Sequence, residues 1–108
     1  MPLTRDFRET IKARAERDPA FRKALLVEGI ESFLNGDVAT GKAVLRDYIN
    51  ATIGFGEVAE AMHHSTKSIM RMLGPAGNPT AANLFELVAY LQQKEHVHLQ
   101  VKACAAGR

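Results

Sequence analysis

The chain has 108 residues, of which 46% are hydrophobic, and its formal net charge is +2. This length suits one compact domain with a modest core, which a second copy of the chain could complete. The net charge is too small to indicate nucleic-acid binding by itself. No run of about 18 apolar residues exists to cross a bilayer, and "MPLTRDFRETIK" lacks the apolar segment of a secretory signal, so we expect a cytoplasmic protein without membrane contact.

Two helices are predicted at the start of the chain. Apolar residues recur at helical spacing over residues 4–16, and Asp18 followed by Pro19 is typical of the start of a second helix, which reaches Leu34. The second helix should bury one stripe, made of Phe21, Leu25, Ile30, Phe33 and Leu34. Together the two helices are expected to supply core side chains first and an interface second, through Phe7, Ile11, Phe21, Leu25 and Phe33.

The role of this N-terminal extension, residues 1–36, stays open between three alternatives. Its helices could bind a partner protein, extend a dimer interface or pack back on the rest of the chain. The remainder divides into a central region, residues 37–94, and a C-terminal strand and tail, residues 95–108. All three parts are expected to form one compact domain.

The segment "GDVATGKA", residues 36–43, matches a phosphate-binding loop pattern but ends in alanine where a magnesium-binding Ser or Thr belongs. Such a loop must follow a strand, whereas the preceding "VEGIESFLN" has a helical pattern. We therefore interpret the glycines as helix punctuation: Gly36 ends the second helix, and Asp37 caps a third helix that carries Val38, Leu45, Tyr48 and Ile49.

Two short helices follow, over residues 55–62 and 66–73, and only three residues separate them. Such a closely spaced pair is a candidate helix-turn-helix. A last helix is predicted from Thr80 to about Gln93, with an apolar face formed by Leu84, Leu87, Val88 and Leu91. The predicted fold class is therefore all-α, a bundle of five to six helices.

The segment "HVHLQV", residues 96–101, alternates apolar and polar residues as a half-buried strand does. No second strand is evident, so we expect Val97, Leu99 and Val101 to pair with the same strand of another copy in a homodimer.

Enzymatic and metal-binding functions are not favoured. Four histidines are present, but no thiol or carboxylate cluster accompanies them at useful spacing. The single cysteine, Cys104, lies in a tail of small residues, and no glycine-flanked nucleophile appears. We therefore expect no catalytic residues, no metal and no cofactor.

The candidate helix-turn-helix has the residue types that base recognition needs. The side chains of Val58, Ala59, Met62, Ile69 and Met72 are spaced to face inward. Thr66, Lys67, Met70 and Arg71 lie on the opposite, exposed arc of the second helix. No acidic residue occurs between Glu60 and Glu86, so this surface should be locally basic.

The segment "FGEVAEAMHHSTKSIMRMLGPAGNPTAANLFELVAYL", Phe55 to Leu91, resembles the phage-repressor type (XRE-like) helix-turn-helix. More narrowly, "SIMRMLGPAGNPTAANLFELVAYL" resembles the addiction-module antidote group, the antitoxins of type II toxin–antitoxin pairs. The resemblance implies a repressor-like fold and base contacts by Thr66, Lys67 and Arg71, and we expect Met70, on the same exposed arc, to contact bases with them. It further implies phosphate contacts by Ser65, Ser68, Asn78 and Thr80.

Two positions depart from that pattern. His63 stands at a turn position where many relatives have glycine, and where the backbone often needs a positive φ. Either the turn keeps that conformation at a modest cost or its geometry differs. The loop "LGPAGNP" is also longer than the "ENG" loop of many repressors, which would move the backbone contacts.

The sequence thus predicts a sequence-specific DNA-binding transcriptional regulator that represses by occlusion. It should bind a palindromic operator as a homodimer, with half-sites roughly 34 Å apart. Whether a cognate toxin exists stays open. The alternative is a helical protein-interaction module that no longer binds DNA.

Overall fold

The structure is a computed structural model that describes the backbone of residues 5–106 and the side chains of residues 10–106. Six α-helices occupy most of this range, which confirms the expected all-α class and helix number. In chain order they are α1 (Arg5–Arg17), α2 (Pro19–Leu34), α3 (Val38–Ala51), α4 (Phe55–Met62), α5 (Thr66–Met72) and α6 (Ala81–Glu95).

Local capping signals explain where α2 and α3 begin. The Asp18 carboxylate accepts a hydrogen bond from the Phe21 amide at 3.1 Å, and the Asp37 carboxylate accepts one from the Thr40 amide at 3.2 Å. Each such cap stabilises a helix start by about 1 kcal/mol. Gly36 takes a φ of +83° between the two helices, a conformation that favours glycine. The predicted starts of α2 and α3 are confirmed.

The core is formed by apolar side chains from α2 to α6. The predicted inner face of α6 is confirmed, because Leu87, Val88 and Leu91 are buried and Leu84 packs partly buried against them. The completely buried leucines, isoleucine and valine of the core are Leu26, Leu45, Ile49, Val58, Leu73, Leu87 and Leu91, and Ile69 of α5 is 1% exposed.

The predicted stripe of α2 is partly wrong. Leu26, which the stripe omitted, is completely buried, whereas Leu34, which it included, is 64% exposed. Leu34 lies roughly 100° around the helix from Phe33 and at the last position of α2, where its side chain lies at the edge of the buried face. Phe33 and Leu25 are half-buried against the core, as predicted.

Ile11 and Phe21, the other predicted core residues of the N-terminal helices whose side chains are described, are not fully buried. Both are half-buried, and the Arg14 guanidinium lies 4.5 Å from the centre of the Phe21 ring. The Phe7 side chain lies outside the described residues. Both α1 and α2 contact α3, so of the three alternatives for the N-terminal helices, the structure shows that they pack on the rest of the chain.

Gly41 corrects one interpretation of "GDVATGKA". It is buried inside α3, where an added Cβ would lie 2.7 Å from the Phe33 ring. Gly36 is helix punctuation as predicted, but Gly41 instead permits the close approach of α2 and α3.

A polar network joins four helices on one side of this core. The Arg22 guanidinium bonds to both carboxylate oxygens of Glu95, at 2.9 and 3.1 Å, and donates to the Ala15 carbonyl at 2.5 Å. The Tyr48 hydroxyl donates to the same carboxylate. Glu95 is the last residue of α6, where a negative charge opposes the helix dipole, so Arg22 offsets that cost as well as the cost of burial.

Tyr48 is held in its protonated form by this environment. Burial, followed by the hydrogen bond and charge of Glu95, raises the pKa of the Tyr48 phenol well above its usual value. The protonated phenol therefore remains a donor to Glu95, and the network connects α3 to α6.

The C-terminal strand predicted over residues 96–101 is not confirmed, because none of the described residues 97–106 lies in a strand. The chain instead turns back along the end of α6. The Val97 amide donates to the Gln92 carbonyl at 3.0 Å, and the Leu99 amide donates to the Gln92 side-chain oxygen at 2.8 Å.

The three residues predicted for dimer pairing have different environments. Val97 and Leu99 are partly buried against the chain's own core, whereas Val101 is 80% exposed. The alternation of Val97 and Leu99 therefore reflects packing on one side of an irregular segment, and Val101 does not share that packing. None of the described helices is long and apolar enough to cross a membrane.

We predict that Arg22→Ala lowers the free energy of unfolding by about 3 kcal/mol, because it leaves the buried Glu95 carboxylate without its cationic partner. Urea denaturation followed by circular dichroism measures the loss. The matched control is Lys23→Ala, which removes an exposed charge from the next position of α2 and should change stability by no more than about 0.5 kcal/mol. Equal losses in the two variants would contradict the assigned role of Arg22.

Candidate nucleic-acid interface

The α4 and α5 helices form a contacting pair joined by a three-residue turn, residues 63–65. The predicted inward residues of this pair are confirmed. Val58, Ala59, Met62 and Ile69 are at most 4% exposed, and Met72 is half-buried against the core. The small Ala59 side chain is among them, as close helix approach requires.

The turn keeps the positive φ that the sequence left in question. His63 has φ +59° and ψ +38°, the left-handed conformation. Its amide donates to the Glu60 carbonyl at 3.3 Å, and the His64 amide donates to the Ala59 carbonyl at 2.9 Å. This pair of bonds forms a Schellman motif, in which glycine is the usual residue. His63 therefore adopts the left-handed conformation that glycine usually takes in this motif.

Four side chains form what we term the exposed α5 face: Thr66, Lys67, Met70 and Arg71. All four are exposed, Met70 to 51%. They are the residues for which the sequence predicted base contacts, and the structure brings them together on the solvent side of one helix. The α5 backbone is fixed from the opposite side by the buried Ile69.

The residues predicted to contact phosphates lie at the start of α5, within it and in the segment before α6. Ser65 caps α5, with its hydroxyl accepting from the Ser68 amide at 3.0 Å, and Thr80 caps α6 in the same way from Asn83 at 3.1 Å. A hydroxyl that accepts in a cap can still donate its own proton to a phosphate oxygen. Asn78 is exposed on the loop between α5 and α6.

The charge pattern around α5 is positive. Residues 61–85 contain no aspartate or glutamate, and within this range lie Lys67, Arg71 and two histidines. Among the described side chains, neither Lys67 nor Arg71 forms an ion pair. Both cations therefore keep their donors available for an anionic partner, and guanine O6 and N7 or phosphate oxygens are suitable acceptors.

Two cations on α3 were missed by sequence reasoning. Lys42 is 6% exposed, and its ammonium donates to the carbonyls of Gly74 at 3.0 Å and Gly77 at 2.6 Å. One turn later, Arg46 donates to the Leu73 carbonyl at 2.7 Å. Their spacing could have indicated this role, because residues four apart lie on the same side of a helix and Leu45, between the two cations, is a predicted core residue.

Other candidate sites offer less. No group of three or more metal-binding side chains comes together among the described residues. A cleft of about 270 Å³ lies beside Arg22 and Tyr48, but these side chains are already bonded to Glu95. Cys104 is exposed in the tail.

Comparisons of the chain with protein-family models, curated protein sequences and solved structures find no match.

We predict that His63→Gly raises the free energy of unfolding by about 0.5 kcal/mol. Relief of left-handed strain in the folded chain should exceed the entropy that glycine adds to the unfolded chain. Thermal and urea unfolding of the two proteins would measure the difference.

The adjacent His64 provides the control, because its φ is not positive. His64→Gly should lower stability by about 0.5–1 kcal/mol, since glycine there brings only the entropic cost. A loss of the same size in both variants would show that His63 carries no backbone strain.

Proposed function

We propose that this chain is a sequence-specific DNA-binding transcriptional regulator in which α4 and α5 act as an XRE-like helix-turn-helix. The observation that carries the proposal is the exposed α5 face, whose two cations lack ion-pair partners among the described residues. In this proposal α4 supports α5, and α5 enters the major groove.

Each residue has a chemical role in the proposed complex. Lys67 and Arg71 donate to guanine, Thr66 donates or accepts, and the Met70 side chain makes apolar contact with a thymine methyl group. Ser65, Ser68, Asn78 and Thr80 donate to phosphates, which positions the protein on the duplex without specifying its sequence.

The proposed mechanism is repression by occlusion, with a homodimer on a palindromic operator in the cytoplasm. Two copies of α5 would then contact half-sites about one helical turn apart, roughly 34 Å. Since Val97 and Leu99 already pack against the chain's own core, only Val101 of the predicted pairing residues remains exposed for a second copy.

An antitoxin role is the narrower form of the proposal, and it rests on the sequence resemblance. It requires a cognate toxin that binds this chain. A small toxin encoded in the adjacent gene, with activity that this chain suppresses on co-expression, would support that role. A neighbouring gene without such a product favours a regulator that acts alone.

A second candidate function is a protein-interaction module, and exposed apolar side chains favour it. Phe85 is 66% exposed on α6 and Leu34 is 64% exposed at the end of α2. Large exposed apolar side chains are common in protein interfaces, although singly they are normal on any surface. Selection of bound duplexes from a random pool at low salt separates the two functions. Recovery of a motif supports DNA binding, and failure to recover any motif favours the interaction module.

We predict that Lys67→Ala and Arg71→Ala each weaken binding to the selected duplex by about 5- to 150-fold, equivalent to 1–3 kcal/mol, because each loses a base contact. Fluorescence anisotropy with selected and scrambled duplexes measures both affinities. The control is Lys23→Ala, which removes the same charge from an exposed position on α2. Unchanged affinity in both α5 variants would exclude the proposed base contacts.

A further inference from the structure

We infer that Lys42 and Arg46 are positioning residues for α5: they bind the backbone that follows this helix and thereby fix the exposed α5 face relative to the phosphate-contacting loop. We term these two residues the α3 cation pair. The inference rests on the proposed function, which it deepens by naming residues that set specificity without touching DNA.

The first observation is the hydrogen bonding of three carbonyls in the five residues that follow α5. The last carbonyls of a helix have no partner within the helix, and cations are favourable at that end. Arg46 satisfies the Leu73 carbonyl directly after α5, and Lys42 satisfies those of Gly74 and Gly77. One rigid helix, α3, therefore holds both the end of α5 and the turn that follows.

The second observation is the burial of Lys42. A buried ammonium is costly unless its protons are hydrogen-bonded, so release of the two carbonyls would leave a buried charge without compensation. The bonds to Gly74 and Gly77 are therefore strongly favoured over any arrangement in which the turn moves away from α3.

The third observation, independent of charge, is the contact between the turn and α5. The Gly77 amide donates to the Gly74 carbonyl at 3.0 Å and closes the turn. A Cβ added at Gly77 would lie 2.0 Å from the Arg71 carbonyl oxygen and 2.7 Å from that of Met72. The turn backbone thus packs directly on the last turn of α5, and no side chain fits between them.

The functional consequence follows from chain order. Arg71 precedes this turn, and Asn78 and Thr80 follow it, so the turn sets the distance between base-contacting and phosphate-contacting groups. Productive recognition requires such groups to be held within about 0.5 Å of their working positions. The α3 cation pair is the connection that holds them there.

The test compares Lys42→Met with Lys23→Met, two variants that lose the same charge from a buried and an exposed position. For Lys42→Met we expect the ratio of affinities for selected and scrambled duplexes to fall about tenfold, because base contacts lose their alignment. Binding to the scrambled duplex should change little, since Lys67 and Arg71 remain. In the free protein, hydrogen exchange of the Gly77 amide should become faster.

Gly77→Ala tests the same geometry without any change of charge. It should reduce the affinity ratio as Lys42→Met does, because the added methyl group displaces the turn from α5. Gly56→Ala is the matched control, because a Cβ added at Gly56 would point into open space.

A merely stabilising role predicts something different: lower melting temperatures, with an unchanged affinity ratio well below melting. That result in Lys42→Met and Gly77→Ala would overturn the inference. If Lys42→Met does not fold, Arg46→Met, which alters a half-buried residue, undergoes the same measurements. If the wild-type protein selects no duplex, the proposed function fails. Hydrogen exchange of the Gly77 amide, compared between the free wild-type and Lys42→Met proteins, then decides whether α3 holds the turn.

Discussion

The need to satisfy polar side chains buried on α3 is the constraint on which the arrangement of the other helices depends. Lys42 and Arg46, in the middle of this helix, bind carbonyls beyond α5. Near its C-terminal half, Tyr48 donates to Glu95 of α6, which in turn binds Arg22 of α2. Every buried side-chain nitrogen or oxygen described in the structure has a hydrogen-bond partner. Since an unpaired buried polar group would be costly, α3 restricts the positions of α2, α5 and α6 together.

Sequence reasoning was accurate for features encoded by neighbouring residues. The caps Asp18 and Asp37 accept hydrogen bonds from amides three residues away, and Gly36 adopts a positive φ that glycine tolerates. Local patterns therefore predicted the helix limits. The Lys42–Gly74 and Arg22–Glu95 contacts instead span 32 and 73 positions along the chain. Their partners are backbone carbonyls or a carboxylate that become neighbours only after folding. No periodicity in the sequence identifies such a partner.

The C-terminal segment shows how an alternating pattern can be misinterpreted. Alternation of Val97, Leu99 and Val101 indicates burial on one side, but it does not specify what the backbone hydrogen bonds pair with. Here the Leu99 amide donates a hydrogen bond to the Gln92 side chain. Val97 and Leu99 can therefore pack against the core without the backbone hydrogen bonds of a strand. The exposed α5 face was easier to predict, because helical spacing alone separates its residues from the buried Ile69.

A helix as short as α5 cannot hold its own orientation. Isolated helices of fewer than about 12 residues are marginal in water, and α5 has seven. Its direction must therefore come from Ile69 in the core, from the left-handed turn at His63 before it and from the α3 cation pair after it. Under the proposed function, the side chains that contact bases are only part of what determines specificity. The residues that orient them lie outside the exposed α5 face, and the α3 cation pair is 27 to 35 positions away from the carbonyls that it binds.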